Sequence, residues 1–574
     1  MAAAQAGTDA GPRSQIDQIS DRFVAEYAAL DPVLATYVGI AGHDGELTDF
    51  SPEGCAQRAE VARAALAQIQ PIEPANARER LAKAVFTERI GLQVELYDAG
   101  LVVGDLNVIA SPIQDTRQVF DLMPAASASD WETIGGRLAA VPDAVAGIRA
   151  GLSQAAGAGR CPARRQVEKV AEQLETWAGA SGEPPYFDRL VAPAAGVDGV
   201  SDVQVRELTD RATAATKAFA ELATYMREEL APLAPAKDAV GRDVYALRSR
   251  DFLGAELDLI EAYEWGWEEF FQVEAEMKQV AERIKPGASL AEAAEALDAD
   301  ERYQVVGRLE YERWMQRLSD TALADLRDVH FDIPAPLMKL ECKIAPPGGS
   351  VGAYYTGPSE DFTRPGRMWW SVLASKDRFS TWRETTTVYH EGVPGHHLQI
   401  ATATYVADQL NVFQRQYSWV SGHGEGWALY AERLMRELGY LTNDGDLLGM
   451  LDGSLFRAAR VIVDLGMHLE LPIPAAAGFH PGERWNPQLG LEFMLTRTIS
   501  DPVHVRDEID RYLGWPGQAP AYKLGERLWL AAREDARSRA ARAGTAFDLK
   551  AFHTAALRMG SMGLDTLREQ LELL

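Results

Sequence analysis

Residues 240–284 read VGRDVYALRSRDFLGAELDLIEAYEWGWEEFFQVEAEMKQVAERI. Apolar side chains recur here at intervals of three and four, the spacing that gathers them on one stripe of an α-helix. The same period runs through SQIDQISDRFVAEYAAL (14–30), ARERLAKAVFTERIGLQVELYDAG (77–100) and DRATAATKAFAELATYMREELAPLA (210–234). The aromatic run EAYEWGWEEFF within the opening stretch reads as helix packing. Proline- and glycine-rich breaks such as QPIEPAN (70–76) and GEPPYF (182–187) read as turns between helices. Neither an internal repeat nor a low-complexity linker divides the chain. The expectation is a mainly α protein: a flexible tail over residues 1–13, then one helical domain over 14–574. Within that domain an N-terminal half (14–235) and a second half (236–574) can be distinguished.

One interval departs from the helical period. LMKLECKIAPP (337–347), GGSVGAYYTGPS (348–359) and GRMWWSVLA (366–374) are short, aromatic or β-branched, and separated by Gly and Pro. They predict a small sheet or hairpin just before the chain turns helical again at STWRETTTVYHEG.

Composition narrows the function. The 574 residues are 47% apolar and 25% charged, an ordinary globular balance, with 57 basic against 84 acidic side chains and a net charge of −27. So negative a chain repels nucleic acid and anionic membrane surfaces, so neither is an expected partner. Its three cysteines, Cys55, Cys161 and Cys342, are widely spaced and form neither a disulfide framework nor a thiolate metal pattern. The first residues, MAAAQAGTDAGPRSQ, hold no apolar core of a signal peptide, and no run of about 18 apolar residues follows. A cytoplasmic location is expected. The sequence leaves a homodimer open.

The chemistry concentrates in TTTVYHEGVPGHHLQIATATY (385–405) and SWVSGHGEGWALYAERLMREL (418–438). Four of the ten histidines, at 390, 396, 397 and 423, fall within these 54 residues. A histidine followed by glutamate, with another histidine about two turns on, is the pattern of a helix-borne zinc site. Two imidazoles hold the ion, and the adjacent carboxylate, here Glu391, takes a proton from the attacking water. The spacing is unusual, because Pro394 stands where the second ligand of an HExxH motif would be. At 100° per residue His397 lies about 20° from His390 and His396 roughly 120° away. Gly392, Pro394 and Gly395 are poor helix formers, however, and a bulge there would rotate His396 inward. Geometry alone leaves both histidines open. A third ligand, Glu425, is expected from a second helix, with Glu432 seven residues on to orient an imidazole.

HEGVPGHHLQ, GEGWALYAE, RAARVIVDLGMH, PGQAPAYKLG and FHTAALRMGSMGLDTL together resemble the bacterial domain-of-unknown-function family numbered 885, over roughly residues 15–574. More distantly the pattern is similar to helical zinc peptidases with HExxH plus glutamate: thermostable carboxypeptidases, oligopeptidases and angiotensin-converting enzyme. The resemblance implies a saddle-shaped helical fold with a central cleft and one Zn²⁺ per chain. It implies His390, His396 and Glu425 as ligands, His397 as the reserve, and Glu391 as general base.

Tyr522, between Gly517 and Gly525, is the leading donor for a developing oxyanion, with Tyr354 and Tyr355 as competitors. Lys523, Arg460 and Arg497 are candidates for gripping a substrate carboxylate. His423 reads as a cap or cleft residue. Asp464 and His468, four apart, read as a buried hydrogen bond rather than a second metal pair. The leading function is a carboxypeptidase- or oligopeptidase-like zinc hydrolase of short peptides. A non-catalytic peptide-binding relative and a hydrolase of another amide or ester are the alternatives.

Overall fold

The computed structural model describes residues 13–345, 352–373 and 375–573. The expected tail therefore lies outside the described residues except for Arg13, as do residues 346–351 and 374 of the expected strand region. Among the described residues, 22 α-helices and five short strands make the protein mainly α. None of those helices is long and apolar enough to cross a membrane. Chain contacts gather into two compact units, one running up to Val240 with Asp507–Trp515 added, the other comprising Gly241–Arg506 and the residues from Pro516 on.

The first unit is built on the helix Ala128–Gly157, which opens with a reciprocal cap between Ser127 and Asp130. Trp131, Leu138, Val145 and Leu152, each seven residues apart, form its inner stripe. They enter one core with Val167, Val170 and Leu174 of Arg164–Trp177 and with Leu208, Phe219 and Leu222 of Asp202–Tyr225. The fully buried Arg137 faces a loop instead, donating to the carbonyls of Glu46 and His43 and to the Thr36 hydroxyl.

The second unit carries the strands. β1 (Gln304–Val306) pairs antiparallel with β5 (Arg378–Ser380). β2 (Leu340–Ile344), β3 (Gly352–Thr356) and β4 (Gly366–Ser371) form a sheet in the order β2-β4-β3, parallel between β2 and β4 and antiparallel between β4 and β3. Gly366, Met368 and Trp370 alternate inward along β4, the period-two pattern of a strand with one covered face. The Trp370 indole donates to Glu384 at 3.0 Å, which ties this sheet to the helix Thr381–Glu391, hereafter the motif helix.

Two further helices set the frame around it. Ser421–Glu437, the crossing helix, lies against Ala521–Ala543 through glycines. A Cβ on Gly426 would stand 2.5 Å from the Gly525 Cα, and one on Gly525 would stand 2.0 Å from the Gly422 carbonyl oxygen. The backbones therefore touch with nothing between them. Gly525 sits inside a helix and permits this contact.

Replacing Gly426 or Gly525 with alanine forces these helices apart. Each substitution should destabilise by about 1–3 kcal/mol, the usual cost of overpacking. Gly91→Ala, in a helix with open space around the new methyl, should be neutral or stabilising by up to about 1 kcal/mol. Thermal unfolding of the three variants checks the contrast.

Candidate metal centre

The motif helix, TWRETTTVYHE, is rich in β-branched threonines that favour other conformations. Side-chain bonds, two of them to other helices, offset that preference. The Thr385 hydroxyl donates to the Thr381 carbonyl and to Asp446, and the Thr386 hydroxyl donates to Glu432. The helix ends at Glu391 and a new one begins at His396. Between them Gly395 passes so close to the His390 carbonyl that a Cβ would lie 1.9 Å from its oxygen. Gly395 N–H donates to the Tyr389 carbonyl and His397 N–H to that of Gly392. The Trp427 indole, from the crossing helix, donates to the Pro394 carbonyl at 2.8 Å.

The turn is thus a break between two helices rather than a bulge within one. Helical-wheel arithmetic fails across such a break, and His396 and His397 leave it in opposite directions. His396 turns toward His390, with ring centroids 4.9 Å apart and perpendicular planes. His397 turns toward the sheet. Its Nε2 lies 2.8 Å from the Leu337 carbonyl and its Nδ1 2.9 Å from the Tyr355 hydroxyl. A nitrogen facing a carbonyl must donate, so Nε2 carries the proton and Tyr355 donates to Nδ1. Burial pushes the His397 pKa down to about 4, so the ring is neutral. Both nitrogens are engaged, which removes His397 from the ligand candidates and Tyr355 from the substrate-facing ones.

Glu425 completes the cluster. Its Oε2 lies 3.3 Å from His390 Nε2 and 3.5 Å from His396 Nε2. Among the described residues these three form the one group of His, Cys, Asp or Glu side chains with donor atoms close enough for a metal ion, all within 4.8 Å of one another. The separations have chemical meaning. A charge-assisted hydrogen bond closes to about 2.7–2.9 Å. Ligand atoms around a tetrahedral zinc with bonds of about 2.0–2.1 Å stand roughly 3.3–3.4 Å apart. The two contacts, at 3.3 and 3.5 Å, lie closer to the second spacing. Behind His390, Glu432 Oε1 accepts from Nδ1 at 2.8 Å, which aims Nε2 at the cluster.

Charges in this space are strongly perturbed. Burial works against the His390 cation, yet the carboxylates of Glu425 and Glu432 outweigh it and lift its pKa to about 9. Burial likewise opposes ionisation of Glu425, but the two imidazoles hold its carboxyl far below the usual range. Burial pushes the Glu391 carboxyl up against the pull of His396 and His390. Glu391 Oε2 and His396 Nδ1 are buried without a hydrogen-bond partner. Two imidazole nitrogens, one carboxylate oxygen and an adjacent unbonded carboxylate suit a zinc-type ion.

Other candidates lie elsewhere. Lys523 is 1% exposed, bonded to Ser454 and paired with Glu526 and Glu269, so its ammonium is already neutralised and closed off. Arg497 pairs with Glu274 over the rings of Phe270 and Phe493. Tyr354 stacks on Trp369 at the sheet surface. His423 is buried, stacks on Trp529 and is pushed by burial to about 3. Asp464 accepts from the Tyr245 hydroxyl at 2.7 Å and from Gly517 N–H at 2.9 Å, which pins the turn before Tyr522. His468 lies 4.0 Å from the same carboxylate. Tyr522 itself faces two guanidinium groups, Arg460 at 5.0 Å and Arg457 at 5.9 Å from its ring.

The family described as "Bacterial protein of unknown function (DUF885)" matches residues 32–571. This chain belongs to the DUF885 family. No functionally curated protein matches it. The fold of the DUF885 protein is shared by a crystal structure described as "the putative lipoprotein from Colwellia psychrerythraea", at TM-score 0.82 and 23% identity, covering 97% of this chain and 98% of that one. A "putative lipoprotein of unknown function from Shewanella oneidensis" matches at TM-score 0.74 and 17% identity, covering 97% and 100%.

Sequence reasoning about the DUF885 protein missed three neighbours of the centre. Thr386 and Arg457 both reach Glu432, the latter at 3.8 Å, and Trp427 holds the Pro394 turn. Arg457 opens the quoted RAARVIVDLGMH motif, one turn before Arg460, and nothing in the sequence ranks one above the other.

The crossing helix is also tied to the C-terminal motif, where the Tyr430 hydroxyl and His553 Nε2 meet at 2.7 Å. Burial, aided by Arg533, pushes the His553 pKa to about 3, below the unfolded value of about 6.5. A depressed histidine stabilises fully above the unfolded pKa, and that contribution is lost as pH falls from about 6.5 toward 3. Between pH 7 and pH 5 the loss should be about 2 kcal/mol for this one group. Denaturant titrations at the two pH values should show His553→Gln with a smaller pH dependence by that amount.

Proposed function

We propose that the DUF885 protein is a metal-dependent hydrolase, most simply a zinc peptidase of short peptides. The observation that carries the reading is the convergence of His390, His396 and Glu425, with the carboxylate 3.3 and 3.5 Å from the two imidazoles, beside the unbonded Glu391 carboxylate. The reaction class is proposed from the order of the residues, a histidine, an adjoining glutamate, a second histidine and a glutamate from a later helix, which resembles that of the HExxH-plus-glutamate peptidases. A divalent ion held there contributes Lewis-acid chemistry, polarising a carbonyl and acidifying a water.

The side chains provide the rest. Glu391 accepts the proton of the attacking water and passes it to the departing amine. Glu432 keeps His390 in the tautomer that presents Nε2. Arg457 offsets part of the negative charge of Glu432 and Glu391. Tyr522, whose ring faces Arg457, the neighbour of Glu432, is our proposed donor to the developing oxyanion. β3 is an edge strand among the described residues, and its outer side offers backbone bonds to an extended peptide. The rival reading, a binding protein with a defective centre, drew on the displaced second histidine. The helix break brings that imidazole to within 3.5 Å of Glu425, which supports the catalytic reading over it. We place the reaction in the cytoplasm, where the unpaired Cys55, Cys161 and Cys342 would stay reduced.

The purified protein should contain about one zinc per chain by elemental analysis. His396→Ala should lose the metal and His397→Asn keep it, while Glu432→Ala should weaken metal affinity about 10–100-fold. Glu391→Gln should retain the ion and lose about 10²–10⁴ in peptide hydrolysis. Undiminished turnover by that variant would refute the proposal.

A further inference from the structure

The chain has 13 tryptophans, and among the described residues one alone is largely exposed: Trp419, at 48%. Its position is not incidental. The indole lies 6.1 Å from the His396 ring, tilted against it. Its benzo edge rests on Gly424, the residue before Glu425. A Cβ at Gly424 would lie 2.3 Å from Trp419 Cη2 and 2.6 Å from Cζ2. Any side chain at 424 would evict the indole, so the glycine of the GEG motif serves as the floor under an aromatic ring.

The backbone beneath the ring is fixed on both sides. The Ser418 hydroxyl donates to the Ser561 carbonyl at 3.2 Å, and Val420 N–H donates to the Ser561 hydroxyl at 3.2 Å. Trp419 N–H is bonded to the Tyr417 carbonyl. Ser561 comes from RMGSMG, the C-terminal motif for which the hydrolytic machinery gives no role. A large apolar ring held out of the core by a remote segment, beside a candidate ligand, gains nothing for folding from its exposed face. It gains if a second apolar surface lies on it.

We propose that Trp419 is the specificity platform of the site. It receives the aromatic or large apolar side chain of a residue flanking the bond to be cleaved, and Ser561 holds it in place. The inference rests on the hydrolase reading above and narrows it, because peptides with small or charged residues at that position forgo the contact. An offset or edge-on aromatic pair with ring centroids about 4.5–7 Å apart is the favoured geometry.

The test uses hydroxamates, which bind a metal centre without being turned over. The zinc-loaded protein is titrated calorimetrically with phenylalanine hydroxamate and alanine hydroxamate. Wild type should bind the first about tenfold more tightly, a preference equivalent to roughly 1.4 kcal/mol. Trp419→Ala should bring the ratio below about twofold with zinc content unchanged, Trp419→Phe should keep most of it, and Ser561→Ala should fall between. Equal affinities in wild type, or a ratio that survives Trp419→Ala, overturn the platform while leaving the hydrolase reading intact. A maintained ratio with no hydrolysis of any peptide supports Trp419 as the contact for an apolar side chain and sinks the peptidase reading instead. A chain that takes up no ion sinks both.

Discussion

Two helices can approach to backbone contact only where no side chain stands between them, and the second unit is organised around one such place. Gly422 and Gly426 on one helix meet Gly525 on the other. From that contact the crossing helix acquires its depth, and every other feature of the centre follows. Trp427 reaches the carbonyl of Pro394, Glu432 reaches Nδ1 of His390, and Glu425 comes between two imidazoles. A methyl group at the crossing would move three functional side chains together, since all three ride on the same helix.

The electrostatics explain why those contacts must be accurate. Glu391, Glu425 and Glu432 place three carboxyl groups in a space where water is scarce, with Arg457 as the nearby cation. Like charges in a low-dielectric region repel strongly unless protons or cations intervene. Without an ion, a proton on His390 meets part of that demand. A divalent cation answers the same demand with two charges instead of one, and it must displace that proton to bind. The cluster is therefore shaped by charge as well as by distance.

Much of this was legible in the residues. The period of three and four announced the helices, and the aromatic, glycine-punctuated interval before STWRETTTVYHEG announced a small sheet. His390, Glu391, Glu425 and Glu432 could be singled out because a histidine–glutamate pair and a later glutamate at heptad spacing form a local pattern. Helix geometry left the choice between His396 and His397 open and only the family resemblance favoured His396, because wheel arithmetic assumes a continuous helix and the chain breaks between Glu391 and His396. Lys523 looked available because sequence shows a charge and not its partners; Glu526, Glu269 and Ser454 close around it. Trp419 and Ser561 are 142 residues apart, and no local pattern joins them.

The adjacent histidines divide two tasks between them, one facing the carboxylate and the other locked between Leu337 and Tyr355. The four residues from Gly392 to Gly395 act as a ratchet of fixed length between the two helices. Deleting one of them would advance the register by a single tooth, carrying the imidazole of His397 toward the carboxylate and setting Leu398 against the sheet. A hydrocarbon side chain there can neither donate to the Leu337 carbonyl nor accept from the Tyr355 hydroxyl. The length of that short connector, more than the identity of either histidine, keeps the pair from exchanging places.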